Sequence, residues 1–269
     1  MKRPDLLRKA TLICGYSFLY LPIALIIFFS FNASKLVVVS GGFSLKWYQH
    51  LLQNVQMLKA FWVSIKAACF SATVAVFVGT VTAFVIVRHT QWKGRLYLNS
   101  LMTIPLIIPD VILGLALMLL FVGFEQIFGW PEGRGLLTLT IAHASVSVSY
   151  VLIVVRERLL YMDQSLEEAA LDLGATPFKV FLKITIPLIM PALVSGWFLA
   201  FTLSFDDVVI ASFVSGAGST TLPMVVFSSI RLGISPEINA LASILVTVVT
   251  IGVIIAGMFL RRKQRSWTS

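Results

Sequence analysis

The polar and apolar positions of this chain fall into long blocks. Six stretches are almost wholly apolar, near residues 11–31, 60–87, 100–122, 137–155, 186–205 and 241–260. Each has roughly the 20 residues that a helix needs to cross the hydrocarbon of a bilayer. The short segments of alternating polarity that mark a membrane β-barrel do not occur. The pattern predicts an all-α integral membrane protein with about six transmembrane helices. The first block follows a basic start (Lys2, Arg3, Arg8, Lys9). It is long for the apolar part of a signal peptide and lacks a small-x-small cleavage site, so it reads as an uncleaved anchor.

Composition agrees. Of 269 residues, 58% are hydrophobic and 12% charged, with a mean hydropathy of +0.93; a soluble domain carries about twice that charged fraction. The net charge of +9 would suit a nucleic-acid binder, but its distribution points elsewhere. With the N-terminus cytoplasmic, fifteen basic residues (Lys2, Arg3, Arg8, Lys9, Arg88, Lys93, Arg95, Arg156, Arg158, Lys179, Lys183, Arg261, Arg262, Lys263, Arg265) fall on that side. Only Lys35, Lys46, Lys59, Arg134 and Arg231 fall on the other, and Lys66 lies within a span. This is the positive-inside bias, and it predicts that both termini are cytoplasmic. No nucleic-acid partner is implied. Cys14 and Cys69 both sit in apolar spans, which gives neither a disulfide framework nor metal-ligand spacing.

The loop between the fourth and fifth blocks holds the most specific pattern. Glu168-Ala169-Ala170 is followed by Gly174, then by nine residues and Ile184-Thr185-Ile186-Pro187. Locally, Ser165 and Glu168 are spaced as a capping box, and Ala169 and Ala170 favour a helix with a low-relief face. Gly174 suits the left-handed position that ends it. Thr176 and Pro177 then suit a cap and first helical position, leading into a second helix with Phe178, Phe181 and Leu182. An ordinary capped interfacial loop would explain Ser165, Gly174 and Pro177, but not the Ile184–Pro187 ending at its fixed distance.

This loop resembles the EAA-xxx-G-(x)9-I-x-[IL]-P pattern of permeases in binding-protein-dependent ABC importers. The resemblance implies a type I importer permease fold covering about residues 60–260. It divides the chain into a tail, first helix and following segment over 1–59, a five-helix core over 60–260 with the coupling loop at 163–187, and a basic tail over 261–269. The coupling residues it implies are Ser165, Glu168, Ala169, Ala170, Gly174, Thr176, Pro177 and Phe178. Implied partners are a second permease, two ATP-binding subunits at the cytoplasmic face and a periplasmic binding protein, in a bacterial inner membrane. No GxxxxGK[ST] run occurs, so the phosphate-cradling loop of an ATPase is missing, and neither catalytic residue, cofactor nor metal is expected in this chain.

Carboxylates in apolar surroundings suggest what is carried, because ionisable groups in hydrocarbon are costly. Asp110 follows Pro105 and Pro109, so it can either face a pathway or bond backbone freed by the prolines. Asp206 and Asp207 end the fifth block; they can attract a cation, or cap the end of the helix. Adjacent side chains diverge by about 100°, so one is expected to face a cavity and the other the adjoining loop. Trp197, Phe201 and Ser204 form one helical stripe, and His143, Ser147 and Tyr150 another. Such stripes serve packing as readily as a pathway, and His143 serves as readily in an interhelical hydrogen bond as in a ligand contact. Gly196 and Ala200 form a small-residue face suited to packing.

The run Ser204–Gly216 resembles that of polyamine permeases, as do Thr220-Thr221-Leu222-Pro223 and the run from Arg231 to Ala240. Gly129-Trp130-Pro131, Arg134-Gly135 and Ser165–Ala170 are closer to the putrescine type than to the spermidine type. The resemblance implies a polyamine-binding partner and a substrate path holding Asp206, Asp207, Trp197, Phe201, Ser204, Tyr150 and Asp110. A diamine would need carboxylates at its ends and an apolar or aromatic wall between. Two other readings are a permease for another small solute and an ion-coupled secondary carrier; the latter usually shows internal repeats and more spans. A membrane enzyme is disfavoured, since neither HExxH nor GxSxG occurs.

Overall fold

The computed structural model describes residues 3–34, 39, 41–89, 91–232 and 236–265. Lys2 and Lys35 of the charge count and Gly233, Ile234 and Ser235 of the polyamine-type run lie outside the described residues. So do the side chains of Arg3, Arg261, Arg262, Lys263 and Arg265. Among the described residues the chain is helical throughout apart from turns and one isolated bridge, Asn32 with Phe43.

In chain order, α1 is Arg3–Ser30, α2 Lys46–Gln53 and α3 Val55–Arg88. Then come α4 (Arg95–Thr103), a 3₁₀ turn at Ile104–Leu106, and α5 (Asp110–Phe128). The long α6 (Leu136–Leu160) leads to α7 (Ser165–Asp172) and α8 (Pro177–Val180), and a π-turn at Phe181–Thr185 opens α9 (Ile186–Phe205). The short α10 (Val209–Val214), α11 (Leu222–Leu232) and α12 (Pro236–Arg265) complete the order. Arg8–Ser30, Val55–Arg88, Asp110–Phe128, Leu136–Leu160 and Pro177–Phe205 are long and apolar enough to cross a membrane. The sixth expected span lies in α12, a 30-residue helix whose described apolar part is Pro236–Gly252.

The expected span at 100–122 is corrected. Its apolar run hides a break: α4 stops at Thr103, and Pro109, with an extended ψ of 140°, precedes a new helix from Asp110. Pro105 and Pro109 cannot donate to the carbonyls one turn back and they crowd the preceding turn, so the crossing helix shifts to Asp110–Phe128.

The chain forms two compact units, residues 1–58 with 226–269 and residues 59–225. In the first, α12 packs on α1 and α2, and polar bonds tie the ends. The Trp47 indole donates to the Asn32 carbonyl at 2.7 Å, and the Tyr48 hydroxyl lies 2.7 Å from Ser30 Oγ and 3.2 Å from Ser243 Oγ.

In the second unit α6 is the hub, packed on α9, α10, α5 and α4. Small residues let the backbones approach. A Cβ on Gly79 of α3 would sit 3.0 Å from Val151, and one on Gly196 of α9 would sit 3.4 Å from the same side chain. Val151 is thus held between two helices at glycine distance, and Ala72, Ala75, Ala83 and Ala200 are fully buried around it. Close packing of this kind holds helices together where lipid offers no hydrophobic driving force. The packing face expected of Gly196 and Ala200 is present.

Candidate functional site

Two regions of the second unit carry the residues singled out from sequence. The first is the segment between α6 and α9. α7 ends in a Schellman turn: the Ala175 N–H bonds to the Ala170 carbonyl at 3.0 Å and the Gly174 N–H to the Leu171 carbonyl at 2.9 Å. Gly174 has φ +81°, which a residue with a Cβ adopts only at a cost. Thr176 is then extended, with ψ 149°, and Pro177 opens α8. Its expected position is therefore observed, though the Thr176 hydroxyl makes no capping bond.

The capping box of Ser165 and Glu168 does not form. Ser165 is already inside the helix, and its N–H donates to Asp163 Oδ1 at 3.0 Å. This bond, with a further one from the Ser165 hydroxyl, holds the Asp163 carboxyl below its ordinary value. Two residues upstream of Ser165, Asp163 takes over the role expected of the serine.

The π-turn follows from Pro187. Proline has no N–H for the carbonyl four residues back, and the Ile186 N–H reaches instead to the Phe181 carbonyl, five residues back. The widened turn buries Thr185 completely. The segment's outer side exposes large apolar side chains: Leu173 is 89% exposed and Phe178 69%. Leu166, Leu171 and Leu182 are also exposed, and Ser165, Glu168 and Ala169 lie on the open side with them. On the inner side Glu167 meets Arg88 of α3 at 2.8 Å and accepts a bond from Thr185 Oγ1 at 2.5 Å.

The second region is a pocket lined by Asp110, His143, Val146, Ser147, Tyr150, Leu203, Ser204, Asp207 and Ile210. It brings together four of the seven expected path residues: Asp110, Tyr150, Ser204 and Asp207. A buried polar chain runs through it. Ser71 of α3 donates to Ser204 at 3.0 Å, Ser204 Oγ lies 2.6 Å from His143 Nδ1, and His143 Nε2 lies 3.2 Å from Asp207 Oδ2. An ionised Asp207 only accepts, so Nε2 carries the hydrogen. Asp207 also accepts from the N–H groups of Ile210 and Ala211, at 3.3 and 2.7 Å, and so caps α10.

Asp206, Trp197 and Phe201 are not among the residues that line this pocket. Trp197 lies seven residues from Ser204, about 10.5 Å along the helix axis. Its indole donates to Thr73 at 3.1 Å, and its ring stacks on Phe201, which stacks on Phe205, at 5.3 and 5.7 Å between centroids. The aromatic ladder packs against the buried core instead. Asp206 ends α9 and is exposed. The expected division of the pair, one for a cavity and the other for the adjoining loop, does not hold, because Asp207 both lines the pocket and caps α10. His143 and Ser147 join the pocket by their spacing with Tyr150. Ser71, Arg88, Glu167 and Thr185 were not singled out: Arg88 read only as a topology charge, and Glu167 stood in the shadow of Glu168.

Known proteins resemble the chain over nearly its whole length. Residues 75–266 match the family model described as "Binding-protein-dependent transport system inner membrane component". The chain is 50% identical over 258 residues to the putrescine transport system permease protein PotI of Escherichia coli (strain K12), covering 96% of this chain and 92% of that one. It is 36% identical over 265 residues to the spermidine/putrescine transport system permease protein PotC of the same strain, covering 98% and 97%. Among solved structures, a chain of a bacterial ABC transporter involved in the import of the acidic polysaccharide alginate superposes with a TM-score of 0.71 at 16% identity, covering 96% and 95%. At that identity the likeness concerns the fold, which is that of type I importer permeases. The segment with the EAA pattern and the helices around the pocket all lie within the matched residues, and this chain belongs to the family of inner-membrane components of binding-protein-dependent transport systems.

Proposed function

We propose that this chain is the permease subunit of an ATP-driven importer of polyamine cations, putrescine above all, working from periplasm to cytoplasm. The observation that carries the substrate is the 50% identity with PotI over nearly the whole length of both chains. The pocket supports it. Asp110 and Asp207 give two carboxylates, and Tyr150 gives an aromatic wall, the chemistry that a short dication needs. An anion path would not place two acids there. Asp206, exposed beyond the pocket, adds attraction at its approach.

The basic residues put both termini and the 163–187 loop on the cytoplasmic side. There the exposed Leu173 and Phe178 offer a helix-in-groove contact to an ATP-binding subunit, with Glu168 and Ala169 exposed beside them. The complex holds this chain, a second permease, two ATP-binding subunits and a periplasmic polyamine-binding protein. The five-helix core at 60–260 is the moving part. Closure of the ATP-binding subunits draws the coupling loops together and opens the cavity outward; the amine enters, and hydrolysis restores the inward-facing state.

The test is ATP-dependent uptake of labelled putrescine by vesicles holding the whole complex. Asp110→Asn and Asp207→Asn, made separately, are expected to lower uptake while the subunits still copurify. Normal uptake by both variants would remove the cation-path assignment.

A further inference from the structure

The EAA segment can drive transport only if its displacement reaches the helices that line the pocket. Its outer surface exposes large apolar side chains, and its side-chain contacts with α3 and the π-turn lie on its inner side. One side chain of α7 makes polar contacts there. Glu167 is 13% exposed, and each of its carboxylate oxygens meets a different element: Oε2 lies 2.8 Å from Nε of Arg88, the last residue of α3, and Oε1 accepts from Thr185 in the π-turn that opens α9. One turn before Arg88, Phe84 packs edge-on against Phe181 of the same π-turn, 4.9 Å between centroids. Glu167 is therefore clasped between the ends of α3 and α9, and these two helices carry Ser71 and Ser204 of the pocket's polar chain.

The pairing is also incomplete. The Arg88 side chain is only 11% exposed, yet its Nε–H is not aligned for a hydrogen bond to Glu167, and Nη1 and Nη2 are buried without a hydrogen-bond partner among the described residues. A guanidinium has five N–H donors, and buried donors left unpaired raise the free energy of the arrangement that leaves them so. Those unpaired donors leave Arg88 able to take other acceptors when the segment moves.

We propose that Arg88, Glu167 and Thr185 form the joint through which movement of α7 reaches α3 and α9, with Arg88 re-pairing as the segment moves. All three are positioning residues, acting through the helices they tie, and the proposal rests on the coupling reading of the EAA segment. The joint differs from the docking surface, which is built from Leu173, Phe178 and the open face of α7.

The experiment measures putrescine taken up per ATP hydrolysed in vesicles holding the full complex, for Glu167→Gln, which keeps the shape and loses the charge, and for Thr185→Val. Each is expected to lower that ratio about 5-fold or more, the scale of one cut link in a coupling network. The ATP-binding subunits should copurify as in the wild type, and the double variant should do no more harm than Glu167→Gln alone, because the groups act as a unit. An unchanged ratio in both single variants would overturn the joint. So would loss of the ATP-binding subunits, which would make Glu167 part of the docking surface, or absence of both variants from the membrane, which would make the triad a folding contact. If instead Gly174→Val and Phe178→Ser leave attachment and coupling intact, the coupling reading itself fails, and the joint with it.

Discussion

In the pocket, His143, Ser204 and Ser71 are 3%, 4% and 0% exposed, and each meets a partner inside the chain. In the EAA segment Leu173 and Phe178 are 89% and 69% exposed. One region has its polar groups turned inward and satisfied; the other has its apolar groups turned outward and waiting. The difference separates two duties. Polar groups left unpaired in hydrocarbon are costly; the pocket's His143, Ser204 and Asp207 are bonded to one another, and Asp110 stands exposed at the start of α5. A docking surface has to leave apolar area uncovered until a partner covers it. Changes in the pocket should therefore alter transport and spare assembly, and changes on the segment should alter assembly and spare the pocket.

The largest effect is expected at Gly174. A β-branched side chain at φ +81° strains the turn, and Gly174→Val is expected to cost about 1–3 kcal/mol locally. The ATP-binding subunits should no longer copurify and uptake should fall to background; full attachment would merge the two regions again. Next comes Asp207→Asn. It removes the charge facing His143 while keeping an acceptor for the α10 N–H groups, and bonds to a charged partner are worth about 1.5–3 kcal/mol. Uptake should drop tenfold or more (on the order of 1.4 kcal/mol per decade), with ATP-binding subunits recovered in full. Asp110→Asn, which breaks no bond in the pocket, should weaken uptake by a smaller factor at low putrescine and recover at high putrescine, as read from initial rates against concentration.

The smallest effect is at Asp163. Its carboxyl is held below its ordinary value by Ser165, so the stabilisation it gives α7 is full above the unfolded value and is lost as pH falls through the lowered folded value. Hydrogen exchange of the Ser165–Glu168 amides, corrected for intrinsic rates, should speed up in acid, and Asp163→Asn should abolish that change. Equal behaviour of the two proteins would remove Asp163 as the cap.

What the sequence showed follows from how local each feature is. The expected span at 186–205 coincides with α9, because Pro187 sets its start and Asp206 its end. The Gly174 turn was readable because glycine adopts its φ of +81° without the cost a Cβ brings. The break in the span at 100–122 was carried by Pro105 and Pro109, yet the run of apolar side chains outweighed it, since hydropathy does not register a missing N–H. The helix cap was misassigned by two residues for a similar reason: Asp163, like Ser165, can bond a nearby N–H, and spacing alone does not choose. Helical spacing found His143, Ser147 and Tyr150, but it could not link Ser71 to Ser204, which are 133 positions apart in the chain. Glu167 and Arg88 each carry an obvious local meaning, a charge in a helix and a charge at a membrane edge, and only their 2.8 Å approach gives them a shared one. Membership of a binding-protein-dependent family removes the ion-coupled carrier weighed from the carboxylates.

The central claim is that the open face of the EAA segment seats on a nucleotide-driven partner. Placing a single reactive thiol at its most prominent ring, Phe178→Cys with Cys14→Ala and Cys69→Ala, in the assembled complex and treating it with a short bifunctional cross-linker tests this directly. The account predicts a covalent adduct with the ATP-binding subunit that weakens when ATP is added or removed. Labelling of that thiol from the periplasmic side, or an adduct with no other subunit, would contradict it.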